Sequence, residues 1–163
     1  MFKTFWNDMI VRVVCSVALM GAAVAVICGC DMDEGTMKYS ALPQEAKTFV
    51  ETHFPGVEPG MCKWERDDGH KTYELLLSDG TELEFDSSGR WLEVDCKFGA
   101  LPEGILPAAI TEDLVVRYPL SPAYKATRRT GGYEVSVYAQ PPYGALDVYY
   151  TAAGAFVRAL PDF

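Results

Sequence analysis

Hydrophobic positions recur along this chain with two different periods. Between Leu42-Pro43 and Phe54-Pro55, Ala46, Phe49, Val50 and Phe54 fall on one helical stripe. Between Leu106-Pro107 and Tyr118-Pro119 a stripe returns as Ile110, Leu114, Val115 and Tyr118, with the same separation between its prolines. Proline suits the first turn of a helix, and a second proline cannot continue it, so each bracket predicts one short helix. After each helix the period drops to two. Tyr73, Leu75 and Leu77 alternate with Glu74, Leu76 and Ser78, and Asp79-Gly80 has the chemistry of a two-residue hairpin turn. Leu83 and Phe85 then point inward with Glu82 and Glu84 outward. Gly89 turns the chain again, and Leu92 and Val94 are expected inward. An earlier strand lies near Cys62 to Arg66, before the turn Asp67-Asp68-Gly69.

The second half answers the first. Tyr133-Glu134-Val135 matches Tyr73-Glu74-Leu75, and Tyr150-Thr151-Ala152-Ala153-Gly154 matches Phe85-Asp86-Ser87-Ser88-Gly89. The drift in spacing is confined to a longer hairpin loop, Gln140-Pro141-Pro142-Tyr143-Gly144. The pattern predicts an α+β fold of two tandem repeats, residues 41–98 and 99–163. Each would be a helix packed on an antiparallel sheet of about four strands.

The chain ahead of these units reads differently. A start bearing Lys3 and Arg12 leads into the uncharged run Val13–Ile27, shorter than the ~20 residues a spanning helix needs. Residues 1–29 therefore read as a secretory signal rather than an anchor. Ile27-Cys28-Gly29-Cys30 resembles a bacterial lipobox, with a departure at Cys28, which is still small. That resemblance implies lipidation of Cys30, several acyl chains there, and stable attachment to a membrane. Residues 30–40 form an acidic tether, and Asp31-Met32-Asp33-Glu34 looks like the export tag of surface lipoproteins. The expected location is the outer membrane of a Gram-negative envelope, facing either the periplasm or the surface.

Charge narrows the partners. The chain carries a net charge of −9, and its leader is basic, so the exported part is more acidic still. Such a chain does not suit nucleic acid, whose phosphates need Lys and Arg. It suits solubility or a basic protein partner. Of the cysteines, Cys62 and Cys96 remain after the leader and Cys30 are set aside. In a simple meander they occupy opposite edge strands, roughly 14 Å apart. A disulfide needs Cα atoms within about 7 Å, so two buried thiols are expected, with a bridge only if sheet twist closes the gap.

A helix ending in aromatic-Pro, then YELLLSDGTELEFDSSGRW from Tyr73 to Trp91, resembles the PepSY-like family over roughly residues 41–160. The second half departs from that pattern where Gln140-Pro141-Pro142-Tyr143-Gly144 replaces the Asp-Gly turn. The resemblance implies secreted or lipid-anchored bacterial proteins with a fold similar to the beta-lactamase-inhibitor protein, which grips its target with a sheet face. Alternation assigns the uncovered sheet face here to Glu74, Glu82, Glu84, Trp91, Glu93, Tyr138, Tyr149 and Phe156, among others. Acidic residues interleaved with exposed aromatics suit a protein-binding surface. The competing reading is that the aromatics pack against each other or against loops, because a one-residue slip reverses every assignment.

Nothing in the sequence points to catalysis, a cofactor or a metal. His53 and His70 lack Cys or His neighbours at ligand spacing. Thr130-Gly131-Gly132 reads as a turn without the helix a phosphate loop needs. Asp79-Gly80 and Asp86-Ser87-Ser88-Gly89 lack the regular oxygen ligands of a calcium loop. The expectation is a non-enzymatic envelope protein that binds an envelope or extracellular protein through its open sheet face. The alternative is a sensor taking a small ligand or peptide between the two repeats.

Overall fold

Prolines set both helices where the sequence brackets them. The computed structural model describes residues 33–97, 99–139 and 144–162. The leader, Cys30, Asp31, Met32 and Gln140–Tyr143 lie outside the described residues. Helix α1 spans Gln44–His53 and α2 spans Ala108–Arg117, with Pro43 and Pro107 at their N-caps. Each proline carbonyl accepts from the first turn: Lys47 N donates to Pro43 O and Thr111 N to Pro107 O, both at 3.2 Å. Pro55 and Pro119 follow the C-caps Phe54 and Tyr118, where continuation would cost a backbone bond. No helix among the described residues is long and apolar enough to cross a membrane.

The strands are β1 (Glu34–Met37), β2 (Pro59–Asp67), β3 (His70–Leu77), β4 (Glu82–Asp86), β5 (Trp91–Asp95), β6 (Ala123–Arg129), β7 (Gly132–Tyr138), β8 (Ala145–Thr151) and β9 (Phe156–Pro161). They form one antiparallel sheet in sequence order, β1 to β9. This corrects the expected fold class of two tandem helix-on-sheet repeats. The strands β5 and β6, which would have been separate edges, pair with each other through Glu93↔Thr127, Val94↔Ala126 and Asp95↔Lys125. Joining them satisfies two rows of backbone donors and acceptors that separate sheets would leave open. Strand β1 has no counterpart among the strands expected from the hydrophobic pattern. It lies inside the stretch read as a tether and pairs with β2 through Thr36↔Lys63 and Met37↔Cys62.

Both helices lie on the same face of the sheet, and among the described residues no helix packs on the other, here the open face. Ala46, Val50 and Phe54 of the α1 segment pack with Leu75, Leu77, Leu83 and Phe85. Ile110 and Leu114 of α2 pack with Val135, Val137 and Val148. Leu101, Leu106 and Tyr133 pack against both groups and make the core continuous. Burying each such Leu, Ile, Val or Phe is worth roughly 1.5–3 kcal/mol.

Two glycines fix the helices to the sheet. Gly89, in the β4–β5 turn, has φ +93°, and a Cβ there would lie 2.8 Å from Ala46 N and from the Pro43 Cβ. Gly154, in the β8–β9 turn, has φ +83°, and a Cβ would lie 2.9 Å from the Ala109 Cβ. Each turn therefore needs a residue that tolerates positive φ and lacks a side chain, because it seats directly on the first turn of a helix.

Candidate functional site

The open face is built from alternate residues of nine strands in register. One row crosses the whole sheet: Thr36, Lys63, Glu74, Glu84, Glu93, Thr127, Glu134, Tyr149 and Arg158, each opposite the next. The neighbouring row runs Leu76, Glu82, Asp95, Lys125, Ser136, Asp147 and Leu160. Three glutamates thus stand side by side on β3, β4 and β5. Like charges directly opposite each other on adjacent strands are destabilising.

The two ends of this face balance their charges differently. Towards β9, Thr127 Oγ1 donates to Glu93 Oε2 at 2.9 Å, and Ser136 Oγ donates to Asp147 Oδ1 at 2.6 Å. Lys125 Nζ lies 2.9 Å from Glu93, Arg129 Nε lies 3.0 Å from Glu134, and the Arg158 guanidinium sits 4.7 Å from the Tyr149 ring centre. Lys97 bridges Glu82 at 3.0 Å and Asp95 at 2.9 Å, and these bonds, Asp95 first, raise its pKa. Glu74 and Glu84 make no such pair among the described residues. Burial pushes the Glu84 carboxyl up. The charges of Glu93, Glu74 and Glu65 add to the shift, and Lys125 offsets only part of it. A shallow depression of about 250 Å³ opens over this spot, lined by Met61, Lys63, Glu74, Leu76, Glu84 and Glu93.

Six residues expected on the open face are there: Glu74, Glu82, Glu84, Glu93, Tyr138 and Tyr149. Trp91 and Phe156 are not. Trp91 sits opposite Phe85 on the helix face, 5% exposed, and Arg128 lies 4.3 Å above its ring. Phe156 sits opposite Tyr150, also on the helix face, with the Arg117 guanidinium 3.8 Å above it. The cause is the same in both places. A β-bulge inserts one extra residue, Leu92 in β5 and Val157 in β9, and so reverses the parity of what precedes it. Leu92, expected inward, is that extra residue.

Sequence reasoning missed Lys63, Lys125, Thr127 and Tyr124. The last three lie on β6, whose pairing with β5 alone brings Lys125 and Thr127 opposite Asp95 and Glu93. Tyr124 stacks on Tyr138 at 4.1 Å between ring centres, and Tyr138 Oη donates to the Lys97 carbonyl at 3.1 Å. Elsewhere, Cys62 and Cys96 are buried and free. Cys62 lies in β2 and Cys96 directly follows β5, with β3 and β4 between those strands. Burial pushes the Cys96 thiol up to about 11, so it stays protonated. The His53 ring lies 4.6 Å from the Phe49 ring, tilted against it by 48°. The turn aspartates accept local bonds: Thr81 N donates to Asp79 at 2.9 Å and Ser88 N to Asp86 at 2.8 Å. Among the described residues no three His, Cys, Asp or Glu side chains converge as metal ligands. An apolar cleft of about 380 Å³ lies beside α2, lined by Leu101, Leu106, Leu114, Tyr118 and Leu120.

Known proteins share this architecture. A family model described as "Putative beta-lactamase-inhibitor-like, PepSY-like" matches residues 71–158. Three solved structures are similar along nearly their whole length. One, described as a "putative periplasmic protein" from Bacteroides vulgatus, is 32% identical, covering 81% of this chain and 99% of that one at a TM-score of 0.72. A second, a "putative calcium-regulated periplasmic protein" from Bacteroides thetaiotaomicron, is 29% identical, covering 78% and 97% at 0.71. A third, a "putative periplasmic protein of unknown function", again from Bacteroides vulgatus, is 30% identical, covering 78% and 98% at 0.71. No curated protein matches the chain in sequence.

Proposed function

Because this chain belongs to the PepSY-like, beta-lactamase-inhibitor-like family, we propose that it is a non-enzymatic protein of the Gram-negative cell envelope that binds a protein partner through its open sheet face. The periplasmic description of its structural relatives supports the compartment. Within that compartment, attachment through a lipid on Cys30 fits the lipobox-like sequence. The observation that carries the binding proposal is the glutamate row. Glu74, Glu84 and Glu93 face one another across β3, β4 and β5 at a cost to the fold, and among the described residues only Glu93 of the three forms an ion pair. Proteins tolerate such local conflicts mainly at functional sites. A partner bearing Lys or Arg would relieve the repulsion, while Tyr138 and Tyr149 on the same face supply the aromatic contacts typical of interface hot spots.

Site-directed photocrosslinking in intact cells tests this reading. A photoreactive residue at Leu76 or Tyr149, on the open face, is expected to capture one discrete protein. The same residue at Lys47 or Glu112, on the helices, is not. Capture is expected to weaken in E74Q/E84Q. Equal capture from both faces, or none from the open face, would overturn the proposal.

A further inference from the structure

Among the described residues, β9 has a neighbouring strand on one side. Asp162 N donates to Ala145 O at 3.0 Å. Hydrogen-bonded pairs alternate along an antiparallel ladder. With Asp147 opposite Leu160 and Val148 opposite Ala159, Leu160 and Arg158 therefore turn their backbone groups towards β8, and Ala159 and Pro161 turn theirs outward. Pro161, which has no N–H to offer, occupies one of these outward places, as proline does on edge strands. The backbone N–H and C=O of Ala159 are left facing away from the sheet.

The same edge departs from the rest of the molecule in charge and polarity. The chain carries a net charge of −9, yet Phe156–Pro161 contains Arg158 and no acid. Val157 and Leu160 are 54% and 43% exposed. At the opposite edge, β1 is four residues long and begins with Glu34. An acidic chain can approach a copy of itself more readily at β9 than at β1.

We propose that β9 pairs antiparallel with β9 of a second copy, across a two-fold axis through Ala159. In that register the two Ala159 residues exchange a pair of N–H···O=C bonds, and Arg158 of each copy faces Leu160 of the other on the open face. Neighbouring registers are worse for stated reasons. A shift that centres on Arg158 sets two guanidinium groups opposite each other. A shift that centres on Leu160 places Pro161 where a donor is needed. The interface is isologous, as two-fold dimers require.

The full chain carrying Ala159→Cys, expressed in a Gram-negative host and oxidised in intact cells, tests the register. Cα atoms of such a pair lie about 5.5 Å apart, within disulfide range. The expected result is a reducible species of twice the chain mass for A159C, and none for the wild type or for R158C, whose diagonal separation of about 7–8 Å is too long. In detergent extracts analysed by light scattering, L160R is expected to weaken dimerisation by about tenfold through opposition to Arg158, and R158E/L160R to restore it. Circular dichroism of each variant checks that the fold is retained. A chain that stays monomeric, an A159C adduct with a different protein, or a dimer indifferent to L160R would each overturn the proposal.

Discussion

The two helices meet the sheet at matching places with different chemistry. Phe49 of α1 packs edge-on against Phe85 of β4 at 5.7 Å, within an aromatic group that includes Trp91 and Phe54. At α2, Asp113 accepts from Tyr150 Oη of β8 at 2.9 Å, Arg117 forks onto Asp113 at 2.8 and 3.0 Å, and the same guanidinium covers Phe156. One contact is apolar and indifferent to pH; the other is a polar network tied to the ionisation of one carboxylate. The open face is asymmetric in the complementary sense. Behind the aromatic contact lies the glutamate row, in which Glu74 and Glu84 form no ion pair among the described residues, and behind the polar contact lie Thr127, Arg129, Lys125 and Arg158, each engaged. The end of the sheet with the firmer apolar core is the end that carries the electrostatic conflict. A local cost on one face is tolerated where the other face is well packed.

Breaking the aromatic contact has the largest expected effect. Phe85 is fully buried, and Phe85→Ala is expected to cost about 3–5 kcal/mol in denaturant unfolding, through lost burial and an unfilled cavity. A cost below ~1 kcal/mol would mean that α1 is not held by this packing.

The polar contact is smaller and pH-dependent. Hydrogen bonding from Arg117, against some desolvation and with help from Tyr150, holds the Asp113 carboxyl below its ordinary value. A lowered folded pKa stabilises above the ordinary carboxylate range and loses that contribution as pH falls through the folded value. Asp113→Asn is therefore expected to cost about 1 kcal/mol at neutral pH. The difference from wild type should shrink as the pH drops below ~4. Thermal melts across pH check it, and a difference that persists in acid would show that the ion pair is not its source.

The glutamate row gives the smallest effect, with the opposite sign. Burial and neighbouring carboxylates raise the folded pKa of Glu84. Its charged form therefore costs stability, absent below the ordinary glutamate value of ~4.3 and complete above the raised one. Glu84→Gln is expected to stabilise the protein by about 0.5 kcal/mol at pH 7 and to leave it unchanged near pH 3. Destabilisation at pH 7 would mean that the row contributes to the fold, and would remove the argument that a partner is needed to neutralise it.

Much of the architecture was legible in local sequence. Pro43 with Pro55, and Pro107 with Pro119, set two helices, and Asp79-Gly80 and Gly89 set two turns. The acidic parity of β3 and β4 placed Glu74, Glu82 and Glu84 correctly. Trp91 and Phe156 were misassigned because a bulge changes parity without changing the hydrophobic pattern: Leu92 and Val157 are as apolar as the residues they displace. Lys125 and Thr127 were missed because their relevance depends on a strand pair separated in sequence by α2.

By itself the sequence determined the elements that rest on short-range rules: proline-bracketed helices, alternating strands, glycines at positive φ and a strongly acidic balance. Those rules act within a few residues and leave a residue-level mark. Only the tertiary structure decided that β5 joins β6 into one nine-stranded sheet, that two bulges turn Trp91 and Phe156 to the helix face, and that Glu74, Glu84 and Glu93 stand side by side. The first is a pairing between strands separated in the chain by α2, and the other two depend on the register of neighbouring strands. Backbone hydrogen bonds are nearly blind to side-chain identity, so the alternative pairings differ little in pattern and are separated only when the whole sheet and its core form together.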